Sequence, residues 1–149
     1  MLTIMRNKDI KNILKQIKEQ FDCGIKGEYL FYIAKNDKVY ITNPKLQEIN
    51  TENLKINNTG SYFGKIERGG FRLSIEGSEL LDNPKKNVLE LSDEDFQAYM
   101  AGENLMLDKK QENAYKVVKY KKHFIGSGRV SNNVLLNYIP KARRAKENL

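Results

Sequence analysis

Tyr115-Lys-Val-Val-Lys-Tyr120, Phe124-Ile-Gly-Ser-Gly-Arg-Val130 and Val134-Leu-Leu-Asn-Tyr-Ile139 follow one another with only short polar turns between them. Each run is rich in β-branched and aromatic residues, which suit a pleated surface. Two further short strands precede them, Asn87-Val-Leu-Glu-Leu91 and Leu105-Met-Leu107. A single helix interrupts the series. Ser92 caps it, Asp95 three residues later makes an approximate capping box, and Asp93 and Glu94 fill the first turn. Phe96, Tyr99 and Met100 form its apolar stripe, and Gly102 ends it. One helix among many short strands predicts a small β-barrel rather than an open sheet.

Upstream, Asn83-Pro84-Lys85-Lys86 is polar and contains proline, which marks it as the domain boundary. The expected division is 1–83 and 84–149. In the first block, Ile10, Ile13, Leu14, Ile17 and Phe21 recur at helical spacing, with Lys8, Lys11, Lys15 and Lys18 opposite. Asn7 is the expected N-cap, Asp9 lies in the first turn, and Gly24 is the expected stop. Tyr29–Ile33 and Lys38–Thr42 read as a hairpin turning at Asn36-Asp37. Pro44 starts a helical turn through Leu46 and Ile49, and Asn57–Gly60 reads as a turn. Tyr62–Ile66 and Phe71–Ile75 form a second hairpin joined through Arg68-Gly69-Gly70, with a short helix from Ser78 to Leu81. The fold class is therefore α+β: an N-terminal α/β domain with an antiparallel sheet, followed by a small β-barrel.

The chain of 149 residues has a net charge of +7, unevenly placed. Residues 1–83 carry a net +2, residues 84–108 a net −4, and residues 109–149 a net +9. A localised excess of this size favours a polyanionic partner, nucleic acid before an anionic membrane surface. Cys23 is the only cysteine, which excludes an intrachain disulfide and fits a reducing cytosol. No apolar run is long enough to span a bilayer, and Met1–Arg6 is too short for a secretory signal. The expectation is a soluble cytoplasmic protein with no membrane partner.

Catalytic chemistry is hard to assemble from these residues. His123 is the only histidine and sits in a lysine-rich turn. With one His and one Cys, a zinc site of the usual kind is out of reach. Asp93, Glu94 and Asp95 suggest either a divalent cation site or, the favoured reading, the acids common at a helix start for dipole reasons. Gly126-Ser-Gly128 and Gly69-Gly70 lack the strand-to-helix setting of a phosphate-binding loop. No nucleophile, base and oxyanion site comes together. The expectation is no catalytic residue, no metal and no cofactor.

The basic segments carry two readings each. Lys141-Ala-Arg143-Arg144-Ala-Lys146 offers guanidinium forks to phosphate or flat faces to bases, or is a solvated, frayed tail. Arg129, beside Gly126 and Gly128, is a phosphate contact or a structural arginine. On a strand through Lys116 and Lys119 the lysines fall on opposite faces, as on an edge strand guarded by lysine. Lys65, Arg68 and Arg72 flank the glycine hairpin, prolonging a positive track or simply solvated.

Val39-Tyr-Ile-Thr42, Gly60-Ser-Tyr-Phe-Gly-Lys65 and Phe71-Arg-Leu-Ser-Ile75 together resemble the first domain of the Nip-seven family of ribosome-biogenesis proteins. The helix ending Ala101-Gly102-Glu-Asn-Leu105 and the strand with Phe124-Ile-Gly126-Ser-Gly128 resemble a PUA domain, an RNA-binding module. The resemblance covers the chain from about Leu30 onward. It implies a pre-PUA α/β domain on a PUA-type barrel, archaeal in type. It implies non-catalytic RNA binding in large-subunit assembly and precursor-rRNA processing, with protein partners on the first domain. By the same resemblance, Gly102 matches the glycine after the PUA helix, and Gly126 and Gly128 match small residues of a later strand. Lys141, Arg143, Arg144 and Lys146 occupy the C-terminal basic cluster that contacts RNA in archaeal members. With Arg129 these complete the expected RNA-binding set.

Asn137-Tyr-Ile-Pro-Lys-Ala-Arg-Arg144 also resembles the end of Nop/Sun-type RNA cytosine-C5 methyltransferases. That resemblance implies the alternative: an RNA-binding subunit for such an enzyme, with rRNA or tRNA as the RNA.

Overall fold

The computed structural model describes residues 2–44 and 60–145. The expected turns at Pro44–Ile49 and Asn57–Gly60 lie almost wholly outside the described residues, as does Lys146.

The first unit is a helix packed on an antiparallel sheet. The described strands are β1 (Thr3–Ile4), β2 (Leu30–Ile33), β3 (Lys38–Thr42), β4 (Ser61–Glu67) and β5 (Gly70–Leu73), and they pair in that order. Helix α1 (Asn7–Phe21) lays Ile13, Ile17 and Phe21 into the core, as its periodicity requires. Its caps differ from expectation. Arg6 holds the N-cap position without a side-chain cap bond, and Asn7 is already helical. At the other end Asp22 takes the left-handed conformation at φ 53° and donates its N–H to Lys18, so the helix stops before Gly24. Asp tolerates that conformation better than most residues.

Both expected hairpins form. The second ends earlier than expected, because Ser74 caps helix α2 (Ile75–Glu79) by accepting the Gly77 N–H at 2.9 Å. Ile75 therefore opens a helix instead of closing a strand, and the short helix precedes its expected start at Ser78. The open edge of β5 is closed by Gln20, whose side-chain amide donates to the Phe71 carbonyl at 3.0 Å and accepts its N–H at 2.8 Å.

The second unit is a curled half-barrel. Its strands are β6 (Val88–Glu90), β7 (Leu105–Met106), β8 (Ala114–Tyr120), β9 (His123–Ser131) and β10 (Val134–Leu136), in the order β6-β8-β9-β10-β7. Strand β6 runs parallel to β8 and the other pairs are antiparallel. The register shifts between Val117 and Lys119, and such a shift bends a sheet. Helix α3 (Asp93–Met100) plugs the concave side through Tyr99, and the Ser92 hydroxyl caps it by accepting from Asp95 N at 3.2 Å.

Two expectations for the last strands need correction. Strand β8 lies between β6 and β9 and is no edge. Lys116, expected as a solvated guard, is only 8 % exposed and donates to Asn87 Oδ1 at 2.9 Å. The run Val134–Ile139 leaves the sheet at Leu136. There the Asn137 amide donates to the carbonyls of Tyr99 and Glu103, and its Oδ1 accepts the Ile139 N–H. A side chain that satisfies backbone groups in this way competes with the sheet ladder and turns the chain aside.

The two sheets share a core. Tyr115 and Val117 of β8 pack with Phe21, Phe63 and Phe71 of the first unit, and Ser127 on β9 donates to the Leu73 carbonyl at 2.7 Å. Asn87 adds a second tie, donating to the carbonyl of Gln20 at the end of α1 at 2.6 Å.

Candidate RNA interface

The basic tail is pinned to the second unit. After Pro140 a short 3-10 turn spans Lys141–Arg143, with the Arg143 N–H donating to Pro140 O at 2.8 Å. The Ala145 N–H then donates to the Met100 carbonyl at 2.7 Å, tying the tail to an open carbonyl at the end of α3. Arg144 donates from Nε to the Ile139 carbonyl at 3.1 Å. A frayed tail is therefore not what residues 140–145 form.

Gly102 and Arg144 meet. Gly102 has φ +92°, and a Cβ on it would overlap the Cδ and guanidinium carbon of Arg144. The glycine makes room for the arginine's side chain rather than presenting bare backbone to a ligand. Of the other tail cations, Arg143 forms an ion pair with Glu76 of α2 at 2.6 Å, both side chains about half exposed. Exposed pairs of this kind contribute about 0–1 kcal/mol, so phosphate can compete for Arg143. Lys141 is exposed, with no ion pair among the described residues. Lys146 lies outside them.

Arg129 is exposed on β9, directly across from Tyr115 on β8 and Leu136 on β10. Residues opposed across an antiparallel ladder share a face, which puts Arg129 beside the junction of the two units. There the Tyr115 hydroxyl donates to Glu67 Oε1 at 2.6 Å, and Arg72 donates to Glu67 Oε2 at 3.0 Å. The Arg72 guanidinium lies over the Tyr138 ring at 4.0 Å. Burial, then the Glu67 carboxylate, push the Tyr115 phenol well above its ordinary value, while Arg129 pulls weakly the other way. Among the described residues no hydrogen bond or ion pair joins Arg129 to the tail.

Arg143 and the Arg72–Tyr138 pair flank a cavity of about 190 Å³ between the two units, which Tyr99 and Gly126 also line. Tyr62, Glu76, Tyr99 and Tyr138 were not expected as site residues. They come from both halves of the chain, and no local motif links them. Arg72, expected to prolong a positive track or to be solvated, instead pairs with Glu67 and lies over Tyr138.

Among the described residues, no group of three or more His, Cys, Asp or Glu stands close enough to hold a metal ion. Cys23 is buried, and burial raises its thiol above the ordinary value, which disfavours the nucleophilic thiolate. No helix among the described residues is long and apolar enough to cross a membrane.

Comparison with known proteins gives a match to the family described as methyltransferase RsmF PUA domain, over residues 86–145. No curated protein matches the chain. The match supports a PUA-containing family and carries neither the Nip-seven assignment nor an archaeal origin. It begins beside the proline-containing segment at Asn83–Lys86, takes in α3 and the whole half-barrel, and runs through Arg144 of the pinned tail. Residues 86–145 of this chain match the PUA domain of the RsmF methyltransferase type.

Proposed function

We propose that the protein binds RNA without catalysing a reaction on it, and that it presents RNA to a cytosine-C5 methyltransferase. One observation carries the RNA-binding reading: the PUA match takes in residues 109–145 of the strongly basic stretch 109–149, whose tail is held on the end of α3. Phosphate contacts made by lysine and arginine supply most of the affinity in such modules, and fixed cations lose less entropy on binding. The methyltransferase reading draws support from the family's description and from the likeness of Asn137–Arg144 to the ends of such enzymes. A role in large-subunit assembly and precursor-rRNA processing is the second reading, favoured by the order of an α/β unit and then a PUA domain. In both readings RNA is bound by 84–149 as a domain, the unit of residues 1–83 meets protein partners, and the protein works in the cytoplasm.

Anisotropy titration with labelled single-stranded RNA at several salt concentrations tests the binding. Affinity should fall linearly on a log–log plot as salt rises. No binding at low salt would falsify the reading. Purification of the tagged protein from its own cells separates the two pathways. Recovery of a methyltransferase with rRNA or tRNA supports the first, and recovery of large-subunit precursor particles supports the second.

A further inference from the structure

The Tyr99 side chain is 1 % exposed, and its hydroxyl has no hydrogen-bond partner among the described residues. Buried hydroxyls are rarely left so, because desolvation costs free energy that only a partner recovers. This one lines the cavity between the two units. Gly126, at φ +131°, borders the same space, and a Cβ there would stand 3.0 Å from the Tyr99 oxygen. Bare backbone at this point leaves the hydroxyl uncrowded on the cavity side.

The rest of the cavity has a consistent chemistry. Arg72 and the Tyr138 ring make a stacked pair at 4.0 Å, with Arg72 held in place by Glu67 at 3.0 Å. Tyr62 lines the cavity beside them. Arg143, paired with Glu76 at 2.6 Å, brings a cation to the rim. At about 190 Å³ the cavity exceeds the ~150 Å³ that accommodates one benzene, so it has room for a planar group. A flat aromatic and guanidinium surface, a hydroxyl that both donates and accepts, and a cation at the rim are what an unstacked nucleotide needs.

We propose that this cavity takes one unstacked nucleotide of the bound RNA strand, with the base edge on the Tyr99 hydroxyl, its face towards Arg72 and Tyr138, and its phosphate at Arg143. The inference rests on the RNA-binding reading and adds a specific subsite to it. The phosphate displaces Glu76 from Arg143, so docking exchanges one ion pair for another.

Tyr99→Phe removes the hydroxyl and little else. A hydroxyl without an internal partner can be lost with no fall in melting temperature, whereas RNA affinity should drop about fivefold, the worth of one hydrogen bond. The probe is a set of single-stranded RNA oligonucleotides carrying one abasic position, moved along the sequence. With the wild-type protein one position should cost more affinity than the others, and in Tyr99→Phe that excess should shrink. Failure of the wild-type protein to bind any oligonucleotide sinks the RNA-binding reading itself. Wild-type binding with an unchanged Tyr99→Phe affinity and a flat abasic profile removes the cavity alone. A lowered melting temperature in Tyr99→Phe also overturns the proposal, since it means the hydroxyl serves the fold. Free mononucleotides that bind as tightly as the oligonucleotides would reassign the cavity to a small ligand and overturn the strand.

Discussion

The side chain of Arg144 occupies the space that a Cβ on Gly102 would fill, across 42 residues of sequence. Gly102 is also the residue after α3 whose φ of +92° swings the chain toward β7. Gly102→Ala therefore carries two costs: backbone strain of about 1–3 kcal/mol, and displacement of the arginine. Urea unfolding should show a loss in that range. Arg144→Ala in the same chain should recover only the steric part, so the double variant should be less destabilised than the two single changes added. Strict additivity would mean the two residues do not touch in solution.

Much of the local structure was legible because its causes are local. The Ser92 cap, the two first-unit hairpins and the α1 stripe depend on residues within a few positions of one another. The half-barrel was also legible, from strand spacing. What failed was anything set by a distant partner. Lys116 looked solvent-facing because alternation cannot reveal that β8 is packed on both faces, with Tyr115 and Val117 in the core shared with the first unit and Val118 in the half-barrel core. The exit of the chain at Asn137 depends on carbonyls 34 and 38 residues upstream. At the site, the cationic tail was visible by composition, but its fastening to Met100 and Gly102 was not, and neither was the cavity. Its lining joins Tyr62–Glu76 to Tyr99–Arg143, a pairing that only the shared core creates.

Lys116 provides a second test. Burial lowers its ammonium below the ordinary lysine value, partly offset by Glu112. The folded state thus disfavours the charged form that the unfolded chain holds at neutral pH. The resulting penalty is present at pH 7 and fades as pH rises towards the unfolded value near 10.4. Lys116→Met keeps most of the volume and removes the charge, so stability at pH 7 should hold or rise by about 1 kcal/mol. The gain should shrink at pH 10. A loss well beyond 1 kcal/mol at pH 7 would show that the bond to Asn87 outweighs the buried charge.

The tyrosines act in the opposite sense. Burial and the Glu67 hydrogen bond raise the Tyr115 phenol, and burial raises Tyr99. A raised folded value favours the protonated form, so this contribution is intact below the unfolded tyrosine value near 10 and is lost above it. Denaturant unfolding from pH 8 to 11 should show stability falling above about pH 10, by up to roughly 1.4 kcal/mol per pH unit for each such tyrosine. Tyr115→Phe should flatten that fall and cost about 1.5–3 kcal/mol at neutral pH through the lost bond to a carboxylate. An unaltered slope in Tyr115→Phe would assign the effect elsewhere.

The basic residues differ in how free they are, and RNA binding should report that order. Lys141 is exposed, Arg143 must leave Glu76, and Arg144 already spends Nε on Ile139. Each cation that contacts a phosphate of a single strand contributes about 0.7 to the slope of log affinity against log salt. Lys141→Ala and Arg143→Ala should each reduce the slope by about that amount with unchanged melting temperature. Arg144→Ala should also loosen the tail and lower the melting temperature. Glu76→Gln removes the competitor for Arg143 and should raise affinity most at low salt, where the ion pair is least screened. Arg129→Ala separates the two surfaces: a lower slope would extend the RNA path from the tail to the junction face of β9. An unchanged slope would leave Arg129 off the path, acting on Tyr115 alone.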